Sequence, residues 1–366
     1  MFNAKIMVVG DFMWDFYHEA CAKALEENGC EVIRFGWFDF FFKKKQGFPE
    51  PFYKSFFHRV QYRLNLGPIV NFVNSLLLKN IQKNEPDIIF FHMATIINPQ
   101  TIKLIRLKYP KILTLQYTHD NPFSTHAKST LWNKFLKSIS VVEVCIAHRK
   151  SDYQGYYKYG GNPVFSMRSY FIPDIEYPIP NENIPNSFKC DVVFAGHYED
   201  DGRVEMLEEI IENGYHLNLF GGGWEKAKRK LRTNSPLLSL YPIAPAVGEN
   251  YRYAINGAKV ALCFLSTLNQ DTYTTRNFQI PAMRVAMLSQ YTDDLANLFI
   301  ENKEVVFFRN NVELINNLKK LLIDDSFRHS IAANGFLKVY SSGHDIKSRM
   351  RDFLKELENY KSNKYD

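Results

Sequence analysis

The stretch Phe171–Gly196, "FIPDIEYPIPNENIPNSFKCDVVFAG", decides how the chain is organised. Its first part carries four prolines and many polar residues, a composition typical of a connection between domains. Its last part is a short apolar run that ends in glycine, as expected for a parallel strand buried on both faces. The same pattern opens the chain at Lys5–Gly10, "KIMVVG". We therefore expect two domains that each begin with a buried strand.

Short apolar runs alternate with helical stretches on both sides of the proline-rich segment. In the first half "PDIIFFHM" precedes "NPQTIKLIRLKY", and in the second half "CDVVFAG" precedes "GRVEMLEEIIENG". This alternation predicts two Rossmann-like, doubly wound α/β domains facing across a cleft, and 366 residues suffice for both. The predicted ranges are 1–172 for the first domain, 173–188 for a linker, 189–345 for the second domain, and 346–366 for a C-terminal helix that can cross back.

The composition, 46% hydrophobic and 23% charged, is that of a globular protein. Five scattered cysteines without a CxxC pair argue against a disulfide or zinc framework and favour a reducing compartment. The chain starts directly with a strand, and no apolar run approaches the roughly 20 residues of a membrane span. Without HExxH, clustered Cys/His or an acidic DxD after a strand, no catalytic metal is expected. We expect a cytoplasmic protein.

The net charge of +6 is concentrated in Lys43–Lys83, where eight Lys/Arg face one acid, Glu50. Phenylalanine and tyrosine are interleaved with these cations. This composition favours adsorption to an anionic membrane surface, at its inner face, or to an acidic acceptor. The alternative is a solvated insertion that packs its phenylalanines inward. No nucleic-acid motif accompanies the segment, so no nucleic-acid partner is expected.

In the second half, glycine-rich loops follow two predicted strands. Gly221–Gly223 can bring backbone N–H groups close to an anion, and a helix is predicted to follow. The loop is not GxGxxG, which weighs against a dinucleotide, and a tight turn is the alternative reading. Gly196, His197 and Arg203 follow another strand, where ligands of open α/β sheets bind. The Arg203 guanidinium suits a diphosphate, although pairing with the acids at 199–201 would also explain it.

In the first half, the candidate catalytic residues are His119, Asp120 and Asp11. His119 and Asp120 follow the strand "ILTLQYT", and either could act as a general base toward a hydroxyl. A capping turn is the alternative, because Asp-Asn-Pro is common turn chemistry. Asp11, directly after the first strand, is a rival base by the same positional argument. His92 is expected in the core or at the rim.

Together these features resemble a GT-B glycosyltransferase, and the second half is similar to the CgeB-like (spore-protein-like) family. Three blocks carry the resemblance over roughly Cys190–Tyr360: an "F-x-G…R" loop, a "G-x-G-W" loop, and an "R-x-F-E-I-P-A" block. They match, in order, Phe194, Gly196 and Arg203; Gly221, Gly223 and Trp224; and Arg276, Phe278, Ile280, Pro281 and Ala282. "IAANG" at Ile331–Gly335, His344 and Arg349 also fit.

The resemblance implies a nucleotide-sugar donor held by the second domain. Many such enzymes carry two acids separated by seven residues, and here that spacing falls on Asp271 and Gln279. An amide can still bind one ribose hydroxyl, less strongly than a carboxylate would, so Gln279→Glu is expected to tighten donor binding. The predicted donor-binding residues are Gly196, His197, Arg203, Gly221, Gly222, Gly223, Trp224, Asp271, Thr275, Arg276, Phe278 and Gln279.

The sequence thus predicts a metal-independent, hexosyltransferase-like enzyme that glycosylates a saccharide or glycolipid acceptor bound by the first domain. Because no metal is expected, arginines and backbone amides would stabilise the leaving diphosphate. A catalytically silent GT-B-like sugar-nucleotide or glycan-binding protein is the main alternative. A Rossmann-type oxidoreductase is the second, and the missing GxGxxG weighs against it.

Overall fold

The computed structural model describes residues 4–43, 52–127 and 129–365, which form two compact units. The first unit contains the residues up to Arg168 together with those from Ile346 onward, and the second contains Ser169–Asp345. Lys44, Lys45 and Glu50 of the basic segment lie outside the described residues.

The first unit is built on a parallel six-stranded sheet with the order β2-β1-β5-β6-β7-β8. A separate two-stranded antiparallel ribbon pairs β3 with β4. The order reverses between β1 and β5, so the loops after these two strands part to opposite sides and leave a crevice. The strands are β1 (Lys5–Gly10), β2 (Glu31–Gly36), β3 (Phe42–Lys43), β4 (Phe52–Tyr53), β5 (Ile88–His92), β6 (Leu113–Thr118), β7 (Val144–Ala147) and β8 (Val164–Ser166).

Helices cover this sheet because its central strands are apolar on both faces; every residue of β5 is buried. A single-turn π-helix, Asp15–Glu19, leads into the first of them. The helices are α1 (Ala20–Glu27), α2 (Phe38–Phe41), α3 (Phe56–Leu64), α4 (Pro68–Asn84), α5 (Pro99–Lys108), α6 (Ser129–Ser138) and α7 (Tyr153–Lys158).

The second unit is a parallel five-stranded sheet with the order β10-β9-β11-β12-β13. Here the order reverses between β9 and β11. The strands are β9 (Cys190–Ala195), β10 (Leu217–Phe220), β11 (Ala258–Cys263), β12 (Ala286–Gln290) and β13 (Val306–Phe308). The helices are α8 (Arg203–Glu212), α9 (Trp224–Lys228), α10 (Glu249–Asn256), α11 (Arg276–Ala282), α12 (Asp293–Ala296), α13 (Asn311–Ile323) and α14 (Asp325–Ser341).

The proline-rich stretch 173–188, predicted as a linker, is instead part of the second unit. The backbone N–H of Ile179 donates to Asn256 Oδ1 at 2.8 Å, and the Arg252 guanidinium lies 4.4 Å from the centroid of the Tyr177 ring. Ile184 is buried. The prolines leave room for only two short 3₁₀-helices, Asn181–Asn183 and Asn186–Phe188, without preventing packing, so composition alone did not reveal these contacts.

The C-terminal helix α15 (Ile346–Tyr365) belongs to the first unit. It lies along α1, where Asn28 Nδ2 donates to the carbonyl of Lys347 at 3.0 Å. The buried Phe353 ring lies 5.9 Å, centroid to centroid, from Phe90 of β5. The final helix therefore completes the cover of a sheet formed by the opposite end of the sequence.

Candidate functional site

Asp11 lies at the reversal point of the first sheet, directly after β1. Its Oδ1 accepts the backbone N–H of Met13 at 2.9 Å and lies 3.5 Å from Nδ1 of the buried His18. The Nε2 atom of His18 is 3.0 Å from the carbonyl oxygen of His92. Because a carbonyl can only accept, Nε2 carries a hydrogen here and Nδ1 faces the carboxylate. The Asp11–His18 pair can therefore accept one further proton, between the carboxylate and Nδ1.

A pocket of about 470 Å³ opens beside this pair, lined by Asp11, Phe12, Gly36, Phe38 and Asp39. Phe12 has a left-handed backbone conformation, φ 55°, and a Cβ on Gly36 would lie 3.2 Å from the Phe12 ring. Two carboxylates can accept hydrogen bonds from hydroxyl groups, and two aromatic rings offer apolar contact. This combination suits a saccharide, which has both hydroxyls and apolar C–H faces.

Four histidines surround the ends of β5, β6 and β7: His18, His92, His119 and His148. Burial lowers the pKa of each, most strongly for His92 and His148; for His18 the Asp11 carboxylate partly opposes the effect. The four imidazoles are therefore neutral near pH 7. Within 4–43, 52–127 and 129–365, no group of three or more His, Cys, Asp or Glu side chains could hold a metal ion.

The structure places His119 and Asp120 in the turn that follows β6. The His119 ring stacks on Tyr17 with centroids 4.1 Å apart, and its carbonyl accepts a hydrogen bond from Arg149 Nη2 at 3.3 Å. Asp120 N–H donates to Thr118 Oγ1 at 3.1 Å, and Asn121 Oδ1 accepts from the N–H of Phe123 at 2.9 Å. These are the bonds of the predicted turn.

His18 is a residue of this site that the sequence did not single out. It lies in a stretch that reads as an ordinary helix start, "DFYHEA". The signal was Gly10 at the end of β1, since a Cβ there would strike the His18 ring. A strand-terminal glycine of this kind marks a close approach by another group.

In the second unit, the loops after β9 and β10 run side by side, backbone against backbone. Gly196 N–H donates to the carbonyl of Phe220 at 2.8 Å, and Tyr198 N–H donates to that of Gly222 at 3.0 Å. Gly221 has φ 147°, and a Cβ at this position would collide with the Gly196 carbonyl. The glycines are therefore required for the two loops to meet, in addition to any contact with an anion.

Arg203 is buried, and acceptors of the protein surround its guanidinium. It donates to both carboxylate oxygens of Asp201, at 2.7 and 2.5 Å, and to the carbonyl of His197 at 2.5 Å. A further bond of 3.4 Å reaches the carbonyl of Leu265, just after β11. The geometry thus favours the alternative reading of the sequence, the acid pairing, over the predicted diphosphate contact. Arg203 braces the loop after β9 against the end of β11.

Arg276, at the start of α11, keeps donors available. Its Nη2 donates to the carbonyl of Phe264 at 3.4 Å, while Nε has no hydrogen-bond partner in the described part of the chain. The guanidinium lies 5.9 Å from the centroid of the Phe194 ring and is half-buried. A partly desolvated guanidinium with an unused donor is the type of group that binds phosphate oxygens.

The other predicted donor-binding side chains fall into two groups. Trp224 and Phe278 are almost completely buried in the core, so their side chains offer a ligand no surface; this part of the prediction is wrong. Thr275 and Asp271 are half-buried near α11. Thr275 Oγ1 lies 2.8 Å from Ser169 Oγ, and Asp271 Oδ2 accepts the N–H of Ser266 at 3.4 Å.

Gln279 is held by protein groups at both ends of its amide. Tyr251 donates its hydroxyl to Oε1 at 2.9 Å, and Nε2 donates to Glu176 Oε1 at 2.6 Å. Glu176 is buried and also accepts the N–H of Ile172 at 2.5 Å. Burial raises the pKa of Glu176 to about 7, although both hydrogen bonds oppose the shift. These contacts disfavour the predicted ribose contact of Gln279, and they bring a carboxylate from the proline-rich stretch next to it.

The comparisons agree with this architecture. Residues 203–355, less than half of the chain, match the model of a glycosyl transferase-like family. Sucrose-phosphate synthase from Thermosynechococcus elongatus has a similar structure, with a TM-score of 0.67 at 12% identity over 98% of this chain and 100% of that one. The chain has a GT-B fold.

Two further GT-B neighbours cover nearly the whole chain. HepE from Anabaena, solved with UDP-glucose, has a TM-score of 0.65 at 11% identity over 97% of this chain and 100% of its own. The trehalose 6-phosphate synthase of Burkholderia multivorans has 0.62 at 12% identity over 99% and 98%. No curated protein matches the sequence. None of the described helices is both long and apolar enough to cross a membrane.

Proposed function

We propose that this GT-B protein is a glycosyltransferase that moves a sugar, of the hexosyl type, from a nucleotide-sugar donor to a saccharide or glycolipid acceptor. The observation that carries the proposal is the edge of the second sheet, where two glycine-lined loops meet near the Arg276 guanidinium. The loop after β10 and Arg276 lie within the region similar to glycosyl transferase-like proteins, and the loop after β9 directly precedes it. The neighbour solved with UDP-glucose supports a nucleotide-sugar donor.

In this proposal each unit supplies one half of the chemistry. The acceptor binds in the pocket beside Asp11, and the Asp11–His18 pair takes the proton of the acceptor hydroxyl as its oxygen bonds to the anomeric carbon. The bond between that carbon and the diphosphate breaks, and the electron pair leaves with the nucleoside diphosphate. Arg276 and loop N–H groups stabilise this developing charge. No step requires a metal.

The finer assignments are proposals of the same kind. The three sequence blocks of the second half favour the CgeB-like branch of GT-B enzymes. Scattered buried cysteines favour a reducing, cytoplasmic location. A saccharide acceptor fits polysaccharide biosynthesis, and the basic segment Lys43–Lys83 fits work at the inner face of a membrane.

Binding of nucleoside diphosphates tests the donor half. UDP, GDP or another nucleoside diphosphate should raise the melting temperature and show a measurable Kd, and Arg276→Gln should weaken that Kd by about tenfold or more. Arg309→Gln is the matched control, because it removes a charge from the same unit at a position paired with Glu301 and Glu313. Equal weakening in both variants would contradict the role of Arg276.

The catalytically silent alternative draws on Gln279, whose amide is bonded within the protein. A silent protein would bind the nucleotide sugar and release no nucleoside diphosphate from it. Incubation with UDP-, GDP- and CMP-sugars, followed by measurement of the released nucleotide, separates the two functions. Release above the rate without protein supports the enzyme.

A further inference from the structure

The outer face of α3 is an exposed surface of phenylalanine and arginine that lies in the basic segment and outside the candidate donor and acceptor sites. Phe56, Val60 and Leu64 are spaced four residues apart and therefore lie in one row along the helix. Phe57 lies beside this row, and Arg59 and Arg63 form the row on its other side. Phe56 is 79% exposed and Phe57 57%, so the two rings are open to solvent.

The opposite face of α3 is fixed to the first unit. Ser55 caps the helix by accepting the N–H of His58, and Asn65 ends it in a left-handed conformation. Asn65 Nδ2 donates to the carbonyls of Thr130 and Leu131, at 3.1 and 3.0 Å. The Tyr62 ring packs against Phe41 and Phe42. The exposed phenylalanines thus project from a helix whose position is set by its buried side.

Exposed apolar side chains also occur in the segments next to α3 in the sequence. Phe52, Leu66 and Phe72 are also exposed by 43% or more. From residue 51 to residue 84 the sequence contains Lys54, Arg59, Arg63, Lys79 and Lys83 and no aspartate or glutamate. Single exposed apolar side chains are ordinary, whereas a group of six within 21 residues, mixed with one sign of charge, indicates an interaction surface.

We propose that the outer face of α3 binds an anionic phospholipid surface. Aromatic and aliphatic side chains on one helical row would enter the region between headgroups and acyl chains, while the adjacent arginines would pair with lipid phosphates. The charge identifies the occupant, since an anionic lipid surface pairs with the cations of this segment and a purely apolar protein partner would need none. The proposal narrows the predicted membrane contact of Lys43–Lys83 to one helix and its flanks. It does not depend on whether the second unit binds a nucleotide sugar.

Vesicle cosedimentation tests the proposal with the full chain. The protein should sediment with phosphatidylcholine vesicles that contain phosphatidylglycerol, and much less with phosphatidylcholine alone. High ionic strength should reduce binding strongly. Phe56→Ala/Phe57→Ala should lower the partition coefficient about tenfold or more, and Arg59→Gln/Arg63→Gln by about fivefold for each charge.

Matched controls remove the same kind of group elsewhere. Leu107→Ala/Leu337→Ala truncates two other exposed apolar side chains, and Lys103→Gln/Lys108→Gln removes two cations of α5; both should leave binding within twofold of the unaltered protein. Absence of binding by the unaltered protein, or equal loss in the controls, overturns the proposal. Light scattering that shows a dimer dissociated by Phe56→Ala/Phe57→Ala would overturn it in favour of a contact between copies of this chain.

Discussion

The points where strand order reverses can be compared between the two units, because both sheets are parallel and doubly wound. In the first unit this point carries carboxylates and neutral imidazoles, with Asp11 held by a backbone N–H and lying 3.5 Å from Nδ1 of His18. In the second it carries glycines and guanidiniums, with Arg203 inside the structure and Arg276 at its edge. The same architecture therefore presents acids and imidazoles at one site and positive charge at the other, which are the groups that the proposed proton transfer and anion binding require.

The second site also contains two kinds of arginine, one that holds loops of the protein in place and one that is a candidate for ligand binding. Arg203 and Arg276 were both predicted to contact phosphate, yet of these two only Arg276 has a guanidinium nitrogen without a hydrogen-bond partner in the part of the chain described here. Changes at the first site should therefore affect transfer more than folding. At the second site, a change at Arg203 should mainly lower the stability, whereas a change at Arg276 should mainly weaken donor binding.

The largest expected effect is on catalysis, from Asp11→Asn. If Asp11 takes the acceptor proton, the amide cannot, and the rate of sugar transfer should fall by about 10²–10⁴-fold. The Kd for nucleoside diphosphate should be unchanged, because the donor is held by the other unit. Asp15→Asn, an exposed neighbour, is the control. If Asp120→Asn abolishes transfer while Asp11→Asn does not, the base is Asp120.

The next effect is on stability, from Arg203→Ala. Removing the guanidinium leaves the nearly buried Asp201 carboxylate without its partner, and the free energy of unfolding should fall by about 3–5 kcal/mol. Asp201→Asn should restore part of that loss in the double variant. Arg309→Ala, which removes an arginine whose ion pair with Glu301 is largely exposed, should cost under about 1 kcal/mol. Urea unfolding measures all three, and a loss at Arg203 as small as that at Arg309 would refute the bracing role.

The sequence predicted two doubly wound α/β domains and most of their strands, because these depend on local apolar runs and on glycines, but it did not predict β8 or β12. It could not predict that Arg203 turns inward or that Trp224 and Phe278 are core residues. Their burial depends on side chains that come from separate elements, such as Leu265 beside Arg203 and His344, whose ring lies 5.1 Å from that of Phe278. Motif spacing indicates which residues lie near a site, and it does not show which way each one faces.

Glu176 is another residue whose burial the sequence did not reveal, and its raised pKa predicts that the stability depends on pH. Its pKa is raised from 4.5 to about 7, so the folded state binds its proton more tightly than the unfolded state does. The contribution of Glu176 to the free energy of unfolding is therefore most favourable below about pH 4.5. It falls by about 3 kcal/mol as the pH rises through 7.

Glu176→Gln should remove most of this pH dependence from the free energy of unfolding, and Glu205→Gln, an exposed control, should not. Gln279→Glu should enlarge this pH dependence, because two carboxylates would meet where the Gln279 amide now donates a 2.6 Å hydrogen bond to Glu176. The sequence-based expectation for the same variant, tighter donor binding, stays a separate prediction. Unchanged pH profiles in both Glu176→Gln and Gln279→Glu would contradict the pairing.

The smallest expected effect is the difference in stability between alanine variants of two glycines in the loop after β10. Gly221 and Gly223 both have positive φ, 147° and 81°, so alanine is strained at either. A Cβ at Gly221 would collide with the Gly196 carbonyl, whereas at Gly223 the nearest atom is 3.7 Å away. Gly223→Ala should cost about 1 kcal/mol and Gly221→Ala about 2 kcal/mol more, because only the latter forces the two loops apart. If urea unfolding gives equal losses, close packing of these loops does not explain Gly221, and anion contact remains its reason.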